Sequence, residues 1–314
     1  MPTSALLLLP LASLIQISLG ALAAKLITTK RFNIRPTLLG IENDDEAGAS
    51  DIQMCTTFAN SGPLPLILSD ALFRGTVLSD VTACISFYLL VWSPLFWTAG
   101  KYILGLIDEN NNEASNEKGR VLLKVWRQIK MILSPPVVGS ILGVIIGSNA
   151  MLRDSMLKPG GFLAPLFGSL RTFGVAYLPA AILVLAGSLV KKKDDNSLSN
   201  ERQSSISSKT ILSILISRFV LSPILALTTV RLMSLAHLMP VDNARTLAIV
   251  TFTLLMEGCM PPAQNSVIML QLANEKERAS KMARMLTIIY ALSTLPVTLL
   301  LGVCLGRSSI LGFT

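Results

Sequence analysis

The middle of one long apolar segment carries the sequence MEGCMPPAQN at residues 256–265, and a second apolar segment carries FANSGPLPL at residues 58–66. A proline removes a backbone N–H donor and clashes with the preceding helical turn, so paired prolines beside a glycine predict that the helix unwinds there. Each stretch also carries amide side chains, Asn60 in one and Gln264 and Asn265 in the other. The two stretches therefore predict broken helices, over 52–73 and 245–272.

The composition around the breaks is typical of an integral membrane protein. Of the 314 residues, 51% are hydrophobic and 15% are charged, whereas soluble domains average about 25% charged residues. This balance excludes a soluble enzyme, a disordered chain and a disulfide-stapled secreted module. The length is sufficient for about eight to ten helical spans of ~20 residues each.

Eight apolar segments of helical length are present, and their length disfavours barrel strands, which alternate with period two. The predicted spans are 4–24, 52–73, 79–104, 131–149, 168–190, 210–233, 245–272 and 283–306. The first span has a competing interpretation as a signal peptide, because it ends in small residues. We favour a retained helix, because the positive charges follow the segment instead of preceding it.

The net charge of +8 is interpreted as a topology signal, and no nucleic-acid partner is predicted. With these spans, nineteen lysines and arginines fall on one side of the membrane and six on the other. By the positive-inside rule the first side is cytoplasmic. Both termini are then predicted to be non-cytoplasmic, and 106–130 is a cytoplasmic linker.

The residues indicate no catalytic or metal chemistry. His237 has no ligand-type neighbours, and the four cysteines (Cys55, Cys84, Cys259, Cys304) lie in apolar stretches without CxxC spacing. Such cysteines behave as small buried hydrophobes. No nucleophile–base set or phosphate-binding loop is present either, so the sequence predicts no enzyme, no cofactor and no metal.

Two interrupted helices in the two halves of a membrane chain are typical of a transporter site, although ordinary proline kinks are the alternative. Half-helix N-termini present unpaired N–H groups and partial positive charge, which suits an anion such as a carboxylate. Within the breaks, the residues predicted to bind substrate are Asn60, Pro63, Pro65, Pro261, Pro262, Gln264 and Asn265.

Three ionisable residues at apparent membrane depth are candidates for ion coupling. Arg218 lies close enough to a helix end for its side chain to snorkel to the cytoplasm, and Asp70 has Arg74 at i+4 as a pairing partner. Glu257 stands beside the second break with no local partner, so it is the preferred candidate for proton coupling.

The spans divide into two unequal halves around the linker. Residues 1–105 form an incomplete first repeat of three helices, and 131–314 form a second repeat of five. An odd number of helices inverts a repeat, which agrees with the charge distribution. A complete 5+5 inverted-repeat plan therefore predicts that two helices are missing before Met1.

Several stretches, taken in order, carry a resemblance that covers nearly the whole chain. They are TFANSGPLPL at 57–66, SPPV at 134–137 with GVIIG at 143–147, APL at 164–166, Pro179, AGSL at 186–189, RFVLSP at 218–223 and PPAQN at 261–265. The chain resembles the auxin efflux carrier superfamily, and within it the PIN-LIKES branch. The resemblance implies ten helices in two inverted repeats, with the fourth and ninth helices crossing where both unwind.

The same resemblance implies transport of indole-3-acetic acid or similar weak organic anions, with residence in the endoplasmic reticulum membrane and the plasma membrane as the alternative. It also implies a homodimer. In the family, the first two helices of the fold form part of the dimer interface. The chain departs from the pattern at Ser61-Gly62-Pro63 and at Glu257, where a charge is unusual. Two other hypotheses stay open: a sodium-coupled carrier of the bile-acid type, and a truncated membrane subunit that does not transport.

Overall fold

The structure is a computed structural model that describes residues 3–28, 46–106, 135–189, 208–240 and 243–313. Helices make up its regular structure, and they are numbered here in chain order. They are α1 (Thr3–Thr28), α2 (Glu46–Thr57), α3 (Pro63–Leu72), α4 (Gly75–Ile103), α5 (Pro135–Ser148), α6 (Ala150–Leu157), α7 (Ala164–Leu189), α8 (Ser208–Ile216), α9 (Ser222–Leu235), α10 (Ala244–Gly258), α11 (Asn265–Leu272) and α12 (Lys276–Ser308). A π-helical turn, Ser217–Leu221, joins α8 to α9, and a 3₁₀ turn, Ile310–Phe313, follows α12.

Within the described ranges, four helical segments are long and apolar enough to cross a bilayer. They are Ala5–Thr28, Gly75–Ile103, Ser208–Leu235 and Lys276–Ser308. At about 1.5 Å per residue, 24 to 33 residues reach roughly 36–50 Å, which exceeds the ~30 Å hydrocarbon core. These helices, together with the interrupted ones, confirm the prediction of an all-α integral membrane protein.

Both predicted helix breaks are confirmed. The first long segment ends as α2 at Thr57 and resumes as α3 at Pro63. The second ends as α10 at Gly258 and resumes as α11 at Asn265. In both cases the prolines lie inside the unwound stretch or in the first turn of the following helix, where the missing N–H costs least.

The chain forms two compact units, Met1–Ile107 with Leu189–Thr314, and Asp108–Ser188. The second predicted repeat therefore contributes helices to both units.

Within the smaller unit, Asn149 caps α6 by accepting from the N–H groups of Met151 and Leu152, at 3.0 and 3.2 Å. Lys158 lies 2.7 Å from Asp154, and this hydrogen bond lowers the pKa of the exposed carboxyl group. Apart from Leu106, the predicted linker at 106–130 lies outside the described residues.

Aromatic rings pack the first break against α4 in the larger unit. The Phe58 ring meets the edges of Trp92 and Phe96 with centroids 6.0 and 5.3 Å away, and those two rings stack at 4.8 Å. Phe58 and Phe96 are fully buried. Such ring contacts stabilise the fold beyond the burial of the rings themselves. They therefore keep the unwound segment packed on α4, which is a continuous helix.

The second break packs closely against α9. A Cβ added at Gly258 would lie 2.4 Å from the Cβ of Ala226 and 3.2 Å from the carbonyl oxygen of Ser222. Only a glycine allows this approach of the two helices. The close contact places the end of α10 beside the π-helical turn.

Large apolar side chains cover the outer surface of the long helices. On α12, Leu295, Leu299 and Val303 are more than 60% exposed. Alternating with them, Val297 and Leu301 are buried. A helix with an apolar outer face and an apolar inner face is suited to lipid on one side and protein on the other.

A buried ion pair joins three elements at one end of the larger unit. Arg278 in the first turn of α12 donates from Nε and Nη2 to Asp51 of α2, at 3.0 and 2.7 Å. Its Nη1 donates to the carbonyl oxygen of Leu104, at 2.7 Å. These charge-assisted hydrogen bonds, both to Oδ1 of Asp51, tie the first broken helix to the start of α12.

Candidate functional site

The two unwound segments run beside each other and pair through their backbones. Ala59 and Pro262 form an antiparallel bridge. The N–H of Asn60 donates to the carbonyl oxygen of Pro261 at 2.8 Å, and the N–H of Ala263 donates to that of Phe58 at 3.0 Å. Backbone groups freed at membrane depth need protein partners, and here each break supplies partners for the other. We call this pair of segments, residues 58–62 and 259–264, the crossover.

Arg218 lies beside the crossover and binds one carbonyl group in the last turn of α2 and one directly after the end of α10. Its Nη1 donates to the carbonyl oxygen of Thr56 at 2.9 Å. Its Nε and Nη2 donate to that of Met260 at 3.1 and 2.9 Å. The side chain is 3% exposed, so it does not snorkel to the cytoplasm. A guanidinium is well matched to this place, because the carboxyl ends of α2 and α10 carry partial negative charge.

The π-helical turn places Arg218 at this point. Pro223, in the first turn of α9, has no N–H to continue the regular hydrogen-bond ladder. The N–H of Ser222 instead bonds to the carbonyl oxygen of Ser217, and the Ser222 hydroxyl donates to the same oxygen at 3.0 Å. Ser217 Oγ and Thr56 Oγ1 lie 3.1 Å apart and share a hydrogen bond. The widened turn thus docks on α2 and turns Arg218 toward the crossover.

A tyrosine also links the two breaks. Asn60 donates from Nδ2 to the Tyr290 hydroxyl at 2.7 Å, and that hydroxyl donates to the carbonyl oxygen of Pro262 at 2.9 Å. Asn60 is 4% exposed. Its side chain is thus tied to the second break through α12.

The amino ends of α3 and α11 differ from the carboxyl ends of α2 and α10, where the guanidinium of Arg218 is bound. Among the described residues, neither Gly62 nor Gln264 caps its helix with a side-chain hydrogen bond. Nε2 of Gln264 is buried and has no hydrogen-bond partner in that part of the chain. The first turn of α3 contains Pro63 and Pro65, which have no N–H, and in α11 the N–H groups of Ser266 and Val267 bond to the carbonyl oxygens of Ala263 and Gln264 at 3.3 and 3.1 Å. An anion is therefore favoured here by the helix dipoles and by Nε2 of Gln264.

The predicted substrate-binding residues all lie at or beside the crossover. Asn60, Pro261, Pro262 and Gln264 are buried within it, and Pro63, Pro65 and Asn265 stand in the first turns of α3 and α11. The structure thus brings together residues that are about 200 positions apart in the chain.

The three candidates for ion coupling separate in the structure. Asp70 is exposed near the end of α3, where Arg74 donates to its backbone oxygen and to that of Phe73. Arg218 binds the backbone as described. Glu257 is 1% exposed, and neither of its carboxylate oxygens has a hydrogen-bond partner among the described residues.

A small cavity of about 30 Å³ lies between α1, α2, α4 and the ends of α9 and α10. That volume holds about two water molecules, since one needs ~10–15 Å³. Its polar lining includes Gln16, Thr57, Tyr88, Arg218 and Glu257. In the described ranges no group of three or more His, Cys, Asp or Glu side chains could hold a metal ion.

Sequence reasoning missed Tyr290, Tyr88 and Gln16. Tyr88 donates to Oε1 of Gln16 at 2.9 Å, and Nε2 of Gln16 donates to the carbonyl oxygen of Leu254 at 3.1 Å. Each of the three is a polar side chain inside an apolar span, and such residues seek partners across helices. This signal could have marked them, but their partners could not be read from the sequence.

Comparison with known proteins identifies the relatives of this chain. The family model described as "Membrane transport protein" matches residues 9–301. The chain is similar to three Arabidopsis thaliana proteins: it is 25% identical to Protein PIN-LIKES 7 over 144 residues, 22% identical to Protein PIN-LIKES 5 over 204, and 23% identical to Protein PIN-LIKES 1 over 279. These matches cover 46%, 62% and 78% of this chain and 33%, 47% and 56% of those proteins. The chain thus spans about half the length of these relatives. No solved structure matches.

Proposed function

The chain belongs to the membrane transport protein family, and on this premise we propose that it carries weak organic anions of the auxin type across a membrane by alternating access. Membership in this family supports a transporter of the auxin efflux carrier kind. The crossover is the proposed substrate site, with α2–α3 and α10–α11 as corresponding broken helices of two inverted repeats.

The feature that carries the proposal is the electrostatic difference between the two sides of the crossover. On one side the guanidinium of Arg218 neutralises the carboxyl ends of α2 and α10. On the other side the amino ends of α3 and α11 have no side-chain caps in the described structure. The partial positive charge left at these amino ends favours an anion.

The polar groups beside those amino ends fit a carboxylate. The buried Nε2 of Gln264 is a donor without a partner among the described residues, and Asn265 begins α11. A buried donor left unpaired costs about 1–3 kcal/mol, so a ligand oxygen that accepts from it gains that amount. Rocking of the crossed helices against the long helices would then expose the site to either side of the membrane.

Uptake of labelled indole-3-acetate into vesicles that contain the purified chain tests the proposal. We expect uptake above protein-free vesicles, and a loss of about tenfold or more in the double variant Asn60→Ala with Asn265→Ala. The matched control is Gln271→Ala, which removes an amide from the other end of α11. Uptake that is unaffected by the double variant would contradict the site assignment.

Two other hypotheses make different predictions in the same assay. A sodium-coupled carrier of the bile-acid type requires sodium, but Arg218 already supplies a cation at the carboxyl ends that coordinate sodium in other broken-helix carriers. We therefore expect equal uptake after sodium is replaced by choline. A non-transporting subunit, which the partial coverage of the relatives keeps open, would bind the anion without uptake.

The proposed setting is the endoplasmic reticulum membrane, with both termini on the non-cytoplasmic side and a homodimer as the assembly. Protease protection of tags at the two termini in sealed microsomes checks the orientation. Cross-linking in native membranes checks the assembly.

A further inference from the structure

Glu257 is a buried acid that forms no ion pair with any residue that the structure describes. It stands in the last turn of α10 with 1% of its surface exposed. Among the described residues, neither carboxylate oxygen has a hydrogen-bond partner, and the buried hydroxyls of Ser13, Thr57 and Ser61 have none either. An ionised carboxylate in such surroundings costs several kcal/mol, unless it takes up a cation or a proton.

The cavity beside Glu257 suits a proton and water better than a metal ion. Its volume is about 30 Å³, which is room for about two water molecules. The guanidinium of Arg218 lines the same cavity, and its positive charge opposes a second cation.

Few other titratable or charged groups face Glu257. From α4 it meets Tyr88, and from the π-helical turn it meets Arg218. From α1 the cavity receives Gln16, Ile17 and Gly20, and from α9 it receives Ser222, Leu225 and Ala226. The part of α12 that the structure describes contributes no lining residue, and Cys259 turns to Cys304, 3.7 Å away.

A chain of polar groups extends from Glu257 to α1. Ser61, in the first break, faces both Glu257 and Tyr88. The Tyr88 hydroxyl donates to Oε1 of Gln16 at 2.9 Å, and Gln16 is half-buried. Hydroxyl and amide groups joined by water can pass a proton to and from the acid.

We propose that Glu257 is a proton-binding site whose occupancy sets the affinity of the crossover for its organic anion. The inference rests on the proposed function. Ser61 and Asn60 are neighbours in the chain, so an ionised Glu257 places a negative charge close to the anion site. Protonation removes that charge, and by linkage anion binding then favours proton binding equally.

Calorimetry on the purified chain tests this inference between pH 6 and 8.5, where indole-3-acetate stays ionised. In buffers of different ionisation enthalpy, we expect anion binding to take up protons, and the affinity to rise as the pH falls, by up to about tenfold per pH unit for one linked proton. Glu257→Gln, which mimics the protonated acid, should bind without proton uptake and with less than a twofold change across the range. The exposed Glu275→Gln is the matched control and should behave like the unchanged chain.

The outcomes separate this inference from the proposed function. Binding without proton uptake in the unchanged chain would overturn the proton site and leave the carrier intact. Affinity that depends on sodium instead of pH would replace the proton by a metal ion. If no anion binds, the proposed function fails, and thermal unfolding without ligand then tests the proton site. The melting temperature should depend on pH, and Glu257→Gln should reduce that dependence. A dependence that Glu257→Gln leaves unchanged would overturn the proton site.

Discussion

Replacing Arg218 by methionine removes a side chain that binds both broken helices near their carboxyl ends. Arginine and methionine have similar stems, so packing changes little while the guanidinium is lost. The change deletes three hydrogen bonds, one to Thr56 and two to Met260, of 2.9 to 3.1 Å. It also leaves the partial negative charges of two helix ends facing each other across the crossover.

The size of the effect follows from these bonds. Each of the two carbonyl oxygens loses its charged donor in a site that is 3% exposed, and a buried acceptor without a donor costs about 1–3 kcal/mol. The two together amount to about 2–6 kcal/mol. Removing a buried charge relieves part of its desolvation cost, and measured losses of one buried partner are about 3–5 kcal/mol. We therefore expect the free energy of unfolding to fall by about 3–5 kcal/mol.

The assay is equilibrium unfolding of the purified chain in mixed micelles, with increasing dodecyl sulfate and tryptophan fluorescence as the readout. Arg231→Met is the control, because Arg231 lies exposed on α9 and its loss should cost less than about 0.5 kcal/mol. Arg218→Ala leaves room for a small cation. We expect millimolar methylguanidinium to restore part of its stability and to leave Arg231→Ala unchanged, whereas sodium should restore less because it lacks the forked donors.

Two results would refute this reasoning. One is a free energy of unfolding for Arg218→Met that lies within about 1 kcal/mol of the value for Arg231→Met. The hydrogen bonds of Arg218 to Thr56 and Met260 would then contribute no more than a surface charge does. The other is full stability in Arg218→Lys, which keeps the charge but cannot span both carbonyl oxygens. In that case charge alone would be sufficient, and the bidentate geometry would be irrelevant.

Three further predictions follow from other contacts. Gly258→Ala should destabilise the fold by about 1–3 kcal/mol through overpacking, whereas Gly302→Ala, with open space around it, should be neutral or stabilising by about 0.5–1 kcal/mol; equal unfolding curves for the two would contradict the close approach of α9 and α10. A double-mutant cycle with Arg278→Met and Asp51→Asn should give a coupling energy of about 0.5–3 kcal/mol in the same unfolding assay, and a value near zero would show that the pair is not bound. Tyr290→Phe removes the hydroxyl that links Asn60 to the second break, so vesicle uptake should fall about 5–30-fold for a loss of about 1–2 kcal/mol, and unchanged uptake would show that the link is dispensable.

The helical membrane fold could be predicted because its signals are local. Apolar runs of span length need no tertiary information, and the prolines at 63, 65, 261 and 262 mark the breaks through backbone chemistry alone. The predicted broken spans, 52–73 and 245–272, contain both observed gaps. The division into two compact units was not predicted, because contacts between distant helices determine it.

The site was predicted only in part. Asn60 and Gln264 were marked by their place beside the breaks, but the partner of Asn60, the Tyr290 hydroxyl, comes from a helix 230 residues away. Arg218 is a predicted functional residue because it lies at membrane depth, but its sequence position allows two orientations of the side chain. A side chain of that length can reach the cytoplasm or the crossover, and the choice depends on the π-helical turn and on what lies beneath it.

The sequence by itself determined that this chain is an all-helical membrane protein with two broken helices and that it belongs to a family of membrane transport proteins. The fold follows from composition, hydropathy and proline placement, which act on neighbouring residues, and the family follows from the match of residues 9–301 to its model. Only the tertiary structure decided that the two breaks pair through Ala59 and Pro262, that one arginine neutralises two helix ends, and that Glu257 is buried beside a cavity with no hydrogen-bond partner among the described residues. The physical reason is that hydrogen bonds and burial depend on which distant segments meet, and this meeting is a property of the packed helices as a whole.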